Sequence, residues 1–352
     1  MGTIDERGTA QYVLTMAEDV GAARRAARDL ALRQGACDAD VGRVELVTTE
    51  LGTNTLCHAT PPGYLLIQSL ASSSARGVEI LAVDHGPGIE HLAEVLHGVA
   101  SRFAKAPETT GRGLGCGLSS VRRLATEFDV HTLRGKGTVV LARFHFDAHE
   151  QAPRGFRVGA VSVPLAGETE NGDGWGFALQ PGGCAVMVAD GLGHGPHAAL
   201  ASSAALTHFH AAPLLDVERF LTETHAALRG TRGAAVSVCR ILVETNRLQF
   251  AGLGNVEGRT QLAASSEGLA PRSGTLGMNI TPPQVRVREL VWEPGATLLL
   301  HSDGVRHLHD LAAQRDLIDK DPSVIAAVLH RELTRGRDDA TVVVVQDTRP
   351  QR

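Results

Sequence analysis

Residues 188–199 read VADGLGHGPHAA: an aspartate, three glycines and two histidines directly after an apolar run. A carboxylate at the end of a strand stands at a sheet edge, where ligands commonly bind, and glycines let a ligand come close to the main chain. Asp-Gly is equally an ordinary turn pair. Other stretches of the chain decide between the two.

Three of them resemble the first. NGDGWGF carries Asp173, LLHSDGV carries Asp303, and GRDDATVVVV carries Asp338 and Asp339, each in a turn adjoining an apolar strand. Acidic turns at four strand boundaries, with no thiolate beside them, describe an oxygen-rich site for hard cations such as Mg²⁺ or Mn²⁺. Two such ions about 4 Å apart activate a bridging water and clamp a phosphoryl group.

The chain has 352 residues, which predicts two domains rather than one core. Its 34 Lys and Arg against 39 Asp and Glu leave a net charge of −5, with no electrostatic footprint for nucleic acid. Apolar runs such as 342–345 and 296–300 are too short to span a membrane, and residues 1–10 are polar rather than signal-like, so a cytoplasmic location is expected. The five cysteines are scattered without a Cys-x-x-Cys pair, which excludes a disulfide framework and a thiolate zinc site.

The first half predicts a strand at 11–16, helices at 18–34 and 40–59, strands at 64–72 and 77–84, a helix at 118–128, and strands at 130–133 and 138–146. This pattern implies an α/β sandwich of one mixed sheet with helices on one face. Residues 147–154 read as a linker. Strands dominate beyond it, with helices at 196–210, 216–229 and between 308 and 335, implying a two-layer sheet sandwich flanked by helices.

Glu50, Asn54 and His58 recur at i, i+4 and i+8 on the second helix and so share one face. Downstream, VEILAVDHGPGI delivers Asp84 at a strand end, followed by Gly86 and Gly88. A carboxylate there accepts from an exocyclic amino group such as adenine presents. TTGRGLGCGLSSVRRL then places Gly111, Gly113, Gly115 and Gly117 before a helix, a loop that points main-chain N–H groups at phosphate oxygens.

On these motifs residues 10–146 resemble the GHKL (Bergerat-type) ATP-binding fold, specifically the serine protein kinases that act as anti-sigma factors and their stressosome-switch relatives. ELGTNTLCHA resembles the family's N-box, DHGPGI its adenine-contacting box, GRGLGCGLSSVRRL its glycine lid, and GKGT at 135–138, with Thr138, the segment closing the nucleotide pocket. The resemblance implies ATP as ligand, with Asn54 holding the Mg²⁺ that bridges its phosphates. It also implies Glu50 as general base toward a substrate hydroxyl and Asp84 on adenine.

Residues 155–347 resemble the metal-dependent PPM serine/threonine phosphatases of the SpoIIE-like subclass, in which D-G-x-G-H-G begins a long helix. The resemblance implies two Mn²⁺ or Mg²⁺ ions held by Asp173, Asp190, the carbonyl of Gly191, Asp303 and Asp338, with Asp190 bridging them. His194 and His197 offer rival imidazole ligands, but His194 is read as orienting neighbouring groups and His197 as an exposed helix residue. The chain departs from the subclass in having Asn171-Gly172-Asp173 where two glycines are usual. LGNVEGRT at 253–260 matches a hairpin of the family and suggests no chemistry.

The expected fold class is therefore α+β, a GHKL sandwich followed by a PPM β-sandwich flanked by helices. The expected function is a bifunctional partner-switching regulator with an ATP-dependent serine kinase-like domain and a phosphoserine phosphatase. By resemblance its partners are STAS-domain antagonist proteins, their phosphoserine forms and a sigma factor. A docking module that binds its partner without transferring phosphate, and regulates the attached phosphatase, is the alternative.

Overall fold

The computed structural model describes residues 8–59, 62–70, 76–97, 117–146, 155–180, 182–213, 215–262, 265–308 and 315–350. The chain divides into two units, residues 1–150 and 151–352.

In the first unit, strand β1 (Ala10–Val13) leads into helices α1 (Ala17–Arg33) and α2 (Asp38–His58), then strands β2 (Tyr64–Ser69) and β3 (Gly77–Val83). Helices α3 (Leu92–Leu96) and α4 (Gly117–Leu124) precede strands β4 (Glu127–Leu133) and β5 (Gly137–His145). The Asp19 carboxylate accepts from the main-chain N–H groups of Thr15 and Met16 and starts α1. Apolar residues at helical spacing, Ala23, Ala27 and Leu30 of α1 and Val44, Val47 and Leu51 of α2, bury against Leu65, Ile67, Ile80 and Ala142 of the sheet.

The sheet order is β1-β2-β3-β5-β4, and every neighbouring pair is antiparallel. This corrects the mixed sheet expected from sequence. The chain leaves β3, passes through α3 and α4, and returns as β4 two positions away, so that β5 folds back between them. The α4 helix also ends earlier than expected, because Glu127 and Phe128 pair with Arg143 and Ala142 as strand residues.

The second unit opens with β6 (Phe156–Val163), β7 (Asp173–Gln180) and β8 (Gly183–Gly191), followed by α5 (Pro196–Ala211) and α6 (Val217–Ala227). Strands β9 (Ala234–Leu242), β10 (Arg247–Leu253), β11 (Glu257–Gln261), β12 (Ser266–Leu269), β13 (Arg288–Val291) and β14 (Thr297–His301) come next. The chain then adds α7 (Arg315–Ile318), α8 (Pro322–Leu333) and β15 (Ala340–Asp347). Two five-stranded sheets result, ordered β13-β10-β9-β8-β7 and β12-β11-β14-β15-β6, antiparallel throughout. Helix α5 covers β7 and β8, α6 covers β9 and β10, and α8 covers β6 and β15. Strands β11 and β12 are short and carry Gly258 and Gly268. No helix among the described residues is long and apolar enough to cross a membrane.

Candidate functional sites

Helix α2 carries Glu50, Asn54 and His58 along one face, and their burial falls steadily: Glu50 is buried, Asn54 half-buried and His58 exposed. A purely solvated stripe would not bury its first carboxylate. Burial pushes the Glu50 carboxyl above the ordinary value, opposed by the main-chain N–H of Gly117, which donates to it. Gly117 opens α4 at a φ of +57°, so the glutamate ties α2 to the start of that helix.

Asp84 follows β3. Its Oδ1 accepts from the N–H of Gly86 at 2.6 Å and of Thr138 at 3.2 Å, and its own N–H donates to the Thr138 carbonyl at 2.9 Å. Gly137 makes this approach possible: at a φ of +91°, a Cβ there would stand 2.0 Å from the Asp84 carbonyl oxygen. The hydroxyls of Thr138 and Thr132 lie 3.0 Å apart, and Thr132 Oγ1 accepts from the Ile89 N–H at 2.8 Å. DHGPGI and GKGT are thus one hydrogen-bonded corner, with Gly88 turning it at a φ of +78°. A Cβ on Gly86 would meet the His58 carbonyl at 2.9 Å, so the end of α2 abuts the same corner. Gly111, Gly113 and Gly115 lie outside the described residues.

In the second unit β7 begins with Asp173 and β8 ends with Asp190 and Gly191, and the antiparallel register sets Asp173 directly opposite Asp190. Asp303 follows β14 and Asp338 precedes β15, which are neighbours in the other sheet. Burial raises the Asp190 carboxyl, and the charges of Asp173, Asp303 and Asp338 raise it further. Asp173 is also raised, first by burial and then by Asp339 and Asp338, against hydrogen bonds from Ser302 and Thr341. Burial raises Asp338, with Asp303 adding to it. The four aspartates therefore share one electrostatic environment.

Several residues not singled out as site residues from sequence hold this cluster. Ser302 Oγ donates to Asp173 Oδ2 at 2.6 Å and accepts from the Thr341 N–H at 3.0 Å. Asn171 Oδ1 accepts from the Asp173 N–H at 2.9 Å. Asn255 Nδ2 donates to Asp303 Oδ2 at 2.6 Å. Buried Asp339 accepts from the N–H groups of Leu165 and Gly172, clamping the two sheets while its charge adds to that on Asp173 and Asp190. Gly191 lets α5 approach, since a Cβ there would stand 2.1 Å from the Ala198 carbonyl oxygen. His194 Nδ1 pairs with Glu168 Oε1 at 2.7 Å, and His197 is exposed.

Among the described residues no group of three or more His, Cys, Asp or Glu stands at metal-holding spacing. Like charges repel, and one oxygen each of Asp173 and Asp303 is engaged by a side-chain donor. None of Asp173, Asp190, Asp303 and Asp338 forms an ion pair with a described Lys, Arg or His. Clustered carboxylates, Asp173 buried and Asp190, Asp303 and Asp338 half-buried, with no direct ion pair among the described residues and the charge of His194 acting on Asp338, fit a divalent cation.

A family model described as the histidine kinase-like ATPase domain matches residues 14–144, and one described as stage II sporulation protein E (SpoIIE) matches residues 180–347. The serine/threonine-protein kinase RsbT of Bacillus subtilis (strain 168) is 33% identical over 124 residues, 35% of this chain and 86% of that protein. The phosphoserine phosphatase RsbX of the same organism is 27% identical over 161 residues, 45% of this chain and 78% of that protein. A solved chain described as "The bacterial stressosome: a modular system that has been adapted to control secondary messenger signaling" is 28% identical with a TM-score of 0.50, covering 54% of this chain and 98% of its own length. A crystal structure of RsbX in complex with magnesium, 23% identical with a TM-score of 0.50 over 56% of this chain and 98% of that chain, shares the fold. The chain belongs to the histidine kinase-like ATPase family through its first unit, fused to a SpoIIE-type PPM serine/threonine phosphatase domain.

Proposed function

We propose that this partner-switching regulator uses residues 10–146 as an ATP-dependent serine kinase-like domain and residues 155–347, after a linker at 147–154, as a phosphoserine phosphatase. Its targets are STAS-domain antagonist proteins in the cytoplasm. The observation that supports the phosphatase reading is the set of four aspartates at the ends of paired strands, Asp173 directly opposite Asp190 and Asp303 and Asp338 beside the neighbouring strands β14 and β15, with burial and like charge raising Asp173, Asp190 and Asp338.

Asp190, Asp173, Asp303, Asp338 and the Gly191 carbonyl would hold two Mn²⁺ or Mg²⁺ ions, with Asp190 between them. When bound, the ions supply a water of lowered pKa and neutralise the phosphoryl oxygens. Ser302 orients Asp173 and opposes the rise that burial imposes on it, because a hydroxyl donating to a carboxylate favours the charged form.

In the first unit Asp84 would take the adenine amino group and Asn54 the Mg²⁺ on the phosphates of ATP. Phosphoryl transfer asks mainly for positioning and charge neutralisation. Glu50, with its carboxyl raised by burial, would accept the proton of the substrate serine hydroxyl. One observation favours the second reading, docking without transfer: Glu50 already accepts a hydrogen bond from Gly117, a contact suited to holding the start of α4.

The experiment is to incubate the chain with ATP and a STAS-domain protein, and separately with its phosphoserine form. Label transfer in the first and phosphate release in the second are expected. Both activities on one target would only consume ATP, so separate targets or mutual control are expected as well. Equal rates of gain and loss on one protein without a regulator would contradict this.

A further inference from the structure

Between β10 and β11 the chain turns through Gly254 and Asn255, inside the LGNVEGRT stretch whose sequence suggested no chemistry. The turn is fixed from several sides. Gly254 has a φ of +106°, and a Cβ there would stand 2.2 Å from the Ala235 Cβ. Its N–H donates to the Arg272 carbonyl at 2.8 Å, and Ser237 Oγ donates to the Val256 carbonyl at 2.6 Å. Ala235 is the strand partner of Asp190. The turn is therefore wedged against the position opposite the central carboxylate, and the Asn255 amide reaches Asp303 Oδ2 at 2.6 Å.

We infer that Asn255 is a positioning residue for the divalent cation, acting through Asp303. The half-buried Asp303 carboxylate interacts with the like charges of Asp190 and Asp338, which favour its swinging out to water. A neutral amide donor holds one of its oxygens and leaves the other for the cation. An Arg or Lys there would hold it as firmly but would cancel the charge that attracts the cation. Groups that orient metal ligands in this way typically set affinity by 10–100-fold. Asn255 is itself exposed, so packing does not account for the contact.

The inference rests on the metal reading of the aspartates, and the test separates the two. Mn²⁺ titration calorimetry on the full chain is compared with Asn255→Ala and with the isosteric Asn255→Leu, alongside melting of each without metal. Both variants should melt within a few degrees of the parent and bind Mn²⁺ about 10–100-fold more weakly. The Mn²⁺ activation curve for p-nitrophenyl phosphate hydrolysis should move to higher Mn²⁺ by the same factor. Unchanged Mn²⁺ affinity in the variants, with the parent binding normally, would overturn the inference alone. A parent chain that binds no Mn²⁺ would overturn the metal reading and the inference with it.

Discussion

Asp173 and Asp190 face each other across β7 and β8 as directly paired residues, and each carboxyl is raised by burial and by the negative charges around it. Like charges opposite one another destabilise a sheet by roughly 0.2–1 kcal/mol, and burial adds to that. A cation between them offsets the cost. Replacing Asp190 with Asn should therefore raise the melting temperature of the metal-free protein by about 2–4 °C per kcal/mol of repulsion removed. The same variant should lose the stabilisation that Mn²⁺ confers on the parent. Calorimetric melting with and without Mn²⁺ checks both; a variant that is less stable without metal, or still stabilised as the parent is, would count against the pairing.

Glu50 and Asn54, one helical turn apart, should fail in different ways. Glu50→Gln is expected to keep ATP binding and lose phosphoryl transfer to a STAS-domain serine, while Asn54→Ala should weaken Mg²⁺-dependent ATP binding itself. Because burial raises the Glu50 carboxyl, the acidic limb of the transfer rate against pH should lie above the ordinary glutamate value of 4.5. Nucleotide titration and label transfer measured over pH distinguish the two. Transfer at the parental rate in Glu50→Gln would exclude Glu50 as the base, and partner effects that survive Glu50→Gln but not Asn54→Ala would favour docking over catalysis.

The first unit should lose stability in acid through Glu127. His145 Nε2 at 3.0 Å and the Arg143 guanidinium hold its carboxyl down at about 2, against an ordinary 4.5. A depressed carboxyl contributes stability above the unfolded value, and that contribution disappears as pH falls from 4.5 towards 2. About a third of the side chain is exposed, which screens the effect to about 1–2 kcal/mol. In Glu127→Gln, denaturant melts between pH 5 and 2.5 should show a flatter decline than in the parent.

His330 on α8 gives a complementary prediction for the second unit. Burial lowers its imidazole to about 4, and neither ring nitrogen has a hydrogen-bond partner among the described residues. Between the ordinary 6.5 and 4 the unfolded chain binds a proton that the folded chain refuses, so stability falls with pH over that range by at most roughly 3 kcal/mol. His330→Leu keeps the volume and removes the buried nitrogens. It should be more stable at pH 5 and lose this part of the pH dependence; an unchanged profile would refute the assignment.

Asp84, Asp173, Asp190, Asp303 and Asp338 stood out in the sequence because each sits at a strand boundary, a position that alternation and turn residues mark. The i, i+4, i+8 spacing put Glu50, Asn54 and His58 on one face, but their graded burial depends on what α2 packs against and leaves no trace in spacing. Asn255 and Ser302 escaped for a related reason. Their partners lie 48 and 129 residues away, reached only through the register of separate strands. Strand direction in the first sheet also escaped, because it is set by the path through α3 and α4 and not by the residues of the strands. Phe128 continued a helical pattern locally, yet pairing with Ala142 prevailed.

If distant aspartates close around divalent ions to hydrolyse a phosphoserine, removing either the ions or Asp190 should stop the reaction. The most direct measurement is phosphate release from a phosphoserine STAS-domain protein, with Mn²⁺ present or chelated, by the parent and by Asp190→Asn. Release should require Mn²⁺ and fall at least about 100-fold in the variant. Release by the parent that persists after chelation, or that survives in Asp190→Asn, would contradict it.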